Sequence, residues 1–408
     1  MARSGPFETR PALAAAVSGG ADSLALALLA RDWAAAHGGT VLALVVDHGL
    51  RAGSAAEAVL TVARLAAHGI AARLIPINGL ARGPGLAARA RAARYAALEG
   101  ECAAAGILHL LLGHHAGDQA ETLRMRADAG SGPRGMAGMA ALVEGAAVRR
   151  LRPLLAMPPG RLRALLRHCG LDWVEDPSNR DPATLRARLR IELDDPDGEG
   201  LVVTALVDAA ARHGRDRAAR EHVVAQELAA KVRLHPAGWA VLAGGAVSPE
   251  ALSALLCTVA GRPYPVARAA VAALAAQPRA ATLAGAQLLP AGRAGAAGDW
   301  LVVREEAAMQ APVAALPGAV WDGRFRLSPA ALPEMGMALG ALADDAARLR
   351  RVRPDWPSAV LRTVPALRYD GDVVVVPALG FPDVAVCQRL ALGFRPALPL
   401  CAAAFLPI

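Results

Sequence analysis

Leu13-Ala14-Ala15-Ala16-Val17-Ser18-Gly19-Gly20-Ala21-Asp22-Ser23 is the stretch from which the fold is read. The apolar run Leu13 to Val17 gives way to an alanine- and leucine-rich helical stretch, so the order is strand, loop, helix. Two adjacent glycines let the backbone turn with its N–H groups inward, Ser18 and Ser23 add hydroxyls, and the helix N-terminus adds partial positive charge. Such a loop is a cradle for pyrophosphate. A carboxylate beside bound phosphates, Asp22, makes chemical sense as a holder of Mg²⁺. The spacing lacks the Gly-Lys-Ser/Thr of a Walker loop and the three spaced glycines of a dinucleotide loop. The plainer alternative is a Gly-Gly turn capping a core helix.

Outward from that loop, short apolar runs alternate with longer helical stretches. Leu13–Val17, Thr40–Val46, Ala72–Ile77 and Ile107–Leu112 read as buried strands, and the alternation predicts an α/β fold with a doubly wound parallel sheet. Ligands in such sheets bind at the carboxyl ends of the strands. Ser18 to Ser23, Asp47-His48-Gly49-Leu50-Arg51 and Gly113-His114-His115 all fall there. The turn-rich Asp194-Asp195-Pro196-Asp197-Gly198 marks a boundary. Helical sequence follows from Leu201 to Leu234 and from Pro249 to Ala276, then a loop at Ala291–Gly298. Trp300–Arg304, Gly323–Leu327 and Asp372–Val376 read as strands. The expected division is 1–196 for the nucleotide domain, 197–311 for a mostly helical middle, and 312–408 for a small α+β domain.

The 408 residues suffice for two or three cores. No apolar run is long enough to span a bilayer, and the first ten residues lack an apolar signal core, so no membrane and a cytoplasmic location are expected. Five scattered cysteines include no C-x-x-C pair, which argues against zinc, iron–sulfur and disulfide frameworks. Net charge is +8, carried by arginine with Lys231 as the only lysine. That balance suits a polyanion, although a GC-biased genome produces the same exchange.

Past the fourth strand the chain reads Gly113-His114-His115-Ala116-Gly117-Asp118-Gln119-Ala120-Glu121-Thr122. With a helix starting at Asp118, Asp118 and Glu121 share a face and make a receptor for an ammonium or a metal. The same spacing also satisfies an ordinary capping box. His114 and His115 are placed for phosphate contact or proton transfer.

The segments SGGADS, VDHGLR (46–51), GHHAGDQAET (113–122), GSGPRGMAGM (130–139), RPLL (152–155) and WVEDPSNRD (173–181) occur in an order that closely resembles the tRNA(Ile)-lysidine synthase family, of the PP-loop ATP pyrophosphatases. The resemblance spans roughly residues 10 to 195 and is weaker beyond 200, where Arg362–Leu367 followed by Asp370-Gly371 looks like the family's C-terminal signature. It implies a PP-loop (HUP-like) sheet and a two-step reaction. AMP passes from ATP to the C2 oxygen of the wobble cytidine of a tRNA(Ile) with a CAU anticodon, releasing pyrophosphate. The ε-amino group of free lysine then attacks C2 and expels AMP. Implied roles are ATP binding for Ser18, Gly19, Gly20, Ala21, Asp22, Ser23, Asp47 and His48, metal binding for Asp22, and lysine binding for Asp118 and Glu121. Asp22, Asp118 and Glu121 are the expected catalytic set.

Arg91 and Arg94, in a matching A-R-x-x-R-Y segment ending at Tyr95, and His114 and His115 are expected to touch adenylate or tRNA. Asp176, Ser178, Asn179 and Asp181, ahead of a basic helix with Arg186, Arg188 and Arg190, read as a scaffold or tRNA contact. Gly117 departs from the family, many of whose members carry a second acid there. Two readings compete: another PP-loop tRNA enzyme such as a thiolase, and a non-catalytic basic RNA-binding protein. The oligomeric state is left open, a homodimer included.

Overall fold

The computed structural model describes residues 4–49, 53–77, 79, 83–145, 147–175, 184–402 and 405–408. They form two compact units, one running to Arg220 with the C-terminal 405–408, the other Glu221–Ala402.

The first unit is built on β1 (Ala12–Val17), β2 (Thr40–Asp47), β3 (Ala71–Pro76), β4 (His109–Leu112), β5 (Leu142–Glu144) and β6 (Arg149–Leu151). Their order is β3-β2-β1-β4-β6-β5, parallel throughout except that β5 runs antiparallel to β6 at one edge. Strand periodicity sorts the side chains. Leu13, Ala15 and Val17 face one core, which holds Leu24 and Leu28 of α1 (Ala21–Ala36), Leu65 of α2 (Ser54–Ala67) and Leu162 and Leu166 of α5 (Pro159–His168). Ala14, Leu44 and Leu110 face the other, filled by Leu98 and Cys102 of α3 (Leu86–Ala104). Helices on both faces make the sheet doubly wound. All four strand expectations hold, with bounds shifted by up to two residues. The β5–β6 hairpin was not anticipated, because Glu144, Arg149 and Arg150 break the apolar pattern of an edge pair.

α4 (Ala116–Asp128) follows β4, and α6 (Leu185–Leu193) lies beyond α5. α7 (Leu201–Lys231) runs on into the second unit. There, β7 (Val232–His235), β8 (Trp239–Leu242), β9 (Ala281–Leu283), β10 (Ala286–Pro290) and β11 (Trp300–Arg304) form an antiparallel sheet in the order β7-β8-β11-β10-β9. Its face packs on α8 (Pro249–Ala260) and α9 (Arg268–Ala276) through Leu252, Leu256 and Val271. The C-terminal part holds β12 (Val313–Ala314), β13 (Val320–Trp321), β14 (Phe325–Arg326), β15 (Ala338–Ala341), β16 (Pro365–Tyr369), β17 (Asp372–Val375) and β18 (Gly393–Phe394), with helices α10 (Ala346–Leu349), α11 (Ser358–Thr363) and α12 (Val384–Leu390). Val241 and Leu301 share one apolar cluster with Leu342, Val360 and Val364. Residues before and after 311/312 therefore fill a common core. No helix among the described residues is long and apolar enough to cross a membrane.

Candidate active site at the strand ends

The loop after β1 is shaped by its own side chains. Gly19 has φ +87, and a Cβ there would lie 2.6 Å from the Thr61 hydroxyl of α2, so conformation and space both demand glycine. Ser18 N–H donates to Ser23 Oγ (3.1 Å), and that hydroxyl donates to the Gly20 carbonyl (2.9 Å). Ser23 therefore holds the turn, and Val174 N–H fastens it from outside by donating to the Gly19 carbonyl (2.9 Å). Gly20 is the N-cap of α1, and no side chain caps that end. First-turn N–H groups of α1, Ala21 onward, are thus left for an anion.

The loop after β4 touches this cradle. A Cβ on Gly113 would sit 3.2 Å from the Asp22 carbonyl and the Ser23 backbone. α4 starts at Ala116, two residues before the expected Asp118, because His115 is its N-cap. Gly117 N–H donates to His115 Nδ1 (3.1 Å), and Asp118 Oδ2 accepts from His115 N–H (3.1 Å). The reciprocal pair is a capping box with Asp118 at its third helical position. With Nδ1 accepting, the ring proton sits on Nε2, 3.5 Å from both Asp22 Oδ2 and Asp118 Oδ2. Burial opposes protonation of His115, but the Asp22 hydrogen bond and the neighbouring carboxylates outweigh it and raise its basicity. The Gly117 departure also has a local reason: a Cβ there would meet His115 Cε1 at 3.0 Å, crowding the capping ring.

Asp118 and Glu121 share one face of α4 and are both buried. Their partners come from α6, the basic helix that carries Arg186, Arg188 and Arg190. Arg190 Nε donates to Glu121 Oε1 (2.5 Å) and its terminal nitrogen to Asp118 Oδ1 (3.4 Å), while Arg186 lies 3.5 Å from Glu121 Oε2. Burial pushes the Glu121 carboxyl up despite Arg190. Burial pushes Asp118 up too, but the charges of His115 and His114, the His115 N–H and Arg190 hold it below its ordinary value. Two acids with opposite shifts thus sit beside the phosphate loop.

The other flank is basic. Asp47, ending β2, accepts from Gly49 N–H (2.9 Å), which with Ser54 keeps its carboxyl low. Burial, then Arg94, depresses the basicity of His48. Arg91, Arg94 and Arg150 surround the Tyr95 ring at 5.1, 5.8 and 5.4 Å. Burial drives His114 down to about 4, helped by Arg152 and Arg91 against the pull of Asp118. Sequence reading missed Gln119, a fully buried amide whose Nε2 donates to the Met139 carbonyl and whose Oε1 accepts from Met139 N–H, docking the 130–139 segment on α4. Leu50 and Arg51 of the second motif, and Asp176, Ser178, Asn179 and Asp181, lie outside the described residues.

Asp22 Oδ1 is buried without a hydrogen-bond partner, as an oxygen reserved for a cation would be. Among the described residues no cluster of three metal-ligating side chains exists. A single unpartnered carboxylate oxygen is a fit for Mg²⁺, which takes one or two carboxylates and completes its shell with phosphates and water.

The PP-loop domain family profile matches residues 3–195. A tRNA(Ile)-lysidine synthase of Ruegeria pomeroyi is 33% identical over 91% of this chain and 89% of its own. Another, from Bradyrhizobium diazoefficiens, is 43% identical over 53% of this chain, an alignment spanning only 60% of that relative. Among solved structures, the U34-tRNA thiolase NcsA from Methanococcus maripaludis with its [4Fe-4S] cluster is 19% identical, with a TM-score of 0.43 over 50% of this chain and 73% of that one.

Proposed function

Because the chain belongs to the tRNA(Ile)-lysidine synthase family, we propose that it uses ATP to join free lysine to C2 of the wobble cytidine in a tRNA(Ile) with a CAU anticodon. One observation carries the reading. A phosphate cradle and a buried pair of acids are joined by a single ring, His115, which faces Asp22 on one side and Asp118 on the other.

In the first step the cytidine C2 oxygen bonds to the α-phosphorus of ATP and pyrophosphate leaves. Backbone N–H groups of Gly19 to Ser23 at the open end of α1 hold the departing oxyanions, and the Ser18–Ser23 bonds keep them aligned beforehand. Mg²⁺, held by Asp22, would neutralise phosphate charge. Asp47 and His48 flank the nucleotide, with Arg91, Arg94 and His114 towards adenylate or RNA. In the second step the lysine amine bonds to C2 and AMP leaves. Asp118 and Glu121 receive the ammonium, taking the place of an arginine contact from α6 while doing so. The attacking nitrogen must shed protons, and Glu121, whose raised carboxyl makes it the stronger base of the acid pair, is the nearby acceptor. Segments 197–311 and 312–408 supply further tRNA contacts, and the setting is the cytoplasm.

The test is incubation of the chain with labelled lysine, ATP and a CAU-anticodon tRNA. Incorporated lysine with release of AMP and pyrophosphate is expected. Sulfur incorporation, or tRNA binding without ATP turnover, would replace this reading with the thiolase or the binding protein.

A further inference from the structure

Arg152 has no task in the reaction as described above. It directly follows β6, which lies beside β4, so it stands at the same carboxyl edge of the sheet as His114. The residue is only 9% exposed. One terminal nitrogen donates to the Ala140 carbonyl (2.8 Å), and the Tyr95 phenol lies against the guanidinium. Its Nε is buried and has no partner, and among the described residues no carboxylate pairs with it. The two preceding arginines of β6 differ in having partners for their charge: Arg150, whose Nε also lacks a hydrogen bond, has the Glu99 carboxylate at 3.6 Å, and Arg149 donates to the carbonyls of Ser4, Gly5 and Pro6. Other charges that reach Arg152 are the like charges of Arg91 and Arg150. A guanidinium withdrawn from water, short of one hydrogen bond and facing other cations is costly unless an anion completes it.

We propose that Arg152 binds the α-phosphoryl group of the nucleotide, the group transferred to the cytidine and later released as AMP. This rests on the lysidine reading above. Two strand spacings of about 4.8 Å separate the ends of β1 and β6. A phosphoryl group next to the pyrophosphate cradle therefore falls within reach of an arginine side chain. With only 9% of the residue exposed, Arg152 is better matched to a single small anion than to a strand of RNA backbone. The free Nε and the adjacent terminal nitrogen offer the paired donors that guanidinium–phosphate recognition uses.

Thermal melting of the full chain, as wild type, Arg152→Gln and Arg152→Lys, tests the assignment with AMP, pyrophosphate or a CAU tRNA added. Without ligand, Arg152→Gln should melt no lower than wild type, because it removes an uncompensated buried charge. Its apparent AMP affinity should fall about tenfold or more, with an intermediate loss for Arg152→Lys, while pyrophosphate stabilises all three alike. A lower melting point with an intact AMP response would make Arg152 a structural clamp and overturn the proposal. So would weakened tRNA binding with AMP binding unchanged, or a wild type that AMP does not stabilise. ATP turnover by the wild type with tRNA and lysine is measured separately, so its failure would strike the lysidine reading while the AMP comparison still decides Arg152.

Discussion

Each unit buries a cluster of arginines and acids, but the two clusters are finished differently. In the second unit Asp322 accepts from Arg304 Nε and a terminal nitrogen (both 2.9 Å), from Arg324 Nε (2.7 Å) and from Gln310 N–H (3.1 Å). The same Arg304 terminal nitrogen also reaches the Ala308 carbonyl, and the remaining guanidinium nitrogens reach the carbonyls of Gly285, Gly238 and Thr363. That cluster is closed. In the first unit, Asp22 Oδ1, His48 Nδ1, His114 Nδ1 and Arg152 Nε are buried with no partner. A closed cluster directs its pairing inward and specifies the fold, whereas an open one carries its desolvation cost until a ligand arrives.

The largest effect should come from opening the closed cluster. Asp322→Ala would leave Arg304 and Arg324 buried without their anion, a loss of about 3–5 kcal/mol. Denaturant unfolding should show it, and an unchanged midpoint would mean that the cluster is idle. Next in size is Asp22→Ala at the open site. Pyrophosphate release should fall by about 10²–10³-fold or more, with stability changed by about 1 kcal/mol or less, as for a first-turn acid. Wild-type release from a folded variant would remove Asp22 from the metal role. Smaller still, Glu121→Gln should raise the lysine requirement by about tenfold or more, with pyrophosphate release intact and adenylated tRNA accumulating. The opposite pattern would move Glu121 to the ATP site.

How much of this was legible in the sequence follows from what each feature depends on. β1 to β4 could be read because strands covered on both faces are continuous apolar runs, and Ser18–Ser23 because its glycines answer to local backbone demands. The edge strand β5 and its neighbour β6 carry charges, and β12, β13, β14 and β18 are two residues long, too short for any period. In the C-terminal signature, Asp370 and Gly371 have φ +48 and +88 and turn β16 into β17, a hairpin that a D-G pair announces. Asp118 and Glu121 were named from spacing alone. Their partners Arg186 and Arg190 lie more than sixty positions away, in a helix whose many arginines look alike until packing singles out two. Arg152 sat in a recognised motif without a role, since burial and an unpaired Nε are not written in residue order.

The finest test of the comparison is pH. His114 is a base whose folded value is driven from 6.5 to about 4, chiefly by burial. Between those values the unfolded chain binds a proton that the folded chain refuses, so His114 supports the fold above about pH 6.5, and that support is lost as pH falls towards 4. His115, its basicity raised, works in the opposite sense: its contribution is full below its ordinary value and lost as pH rises through the folded one. Asp322 is held low by Arg304 and Arg324 against burial, so its contribution is present above about 3.8 and lost only as pH falls below that. Acidification from pH 6.5 to about 4 should therefore lower the amide protection factors, exchange being taken relative to the intrinsic rate at each pH, around Gly113–Glu121 before it affects the strands around Asp322. His114→Gln should flatten that dependence in the first unit and leave the second untouched. If both units loosened together in wild type and variant alike, the difference between an open and a closed cluster would not govern their response to protons.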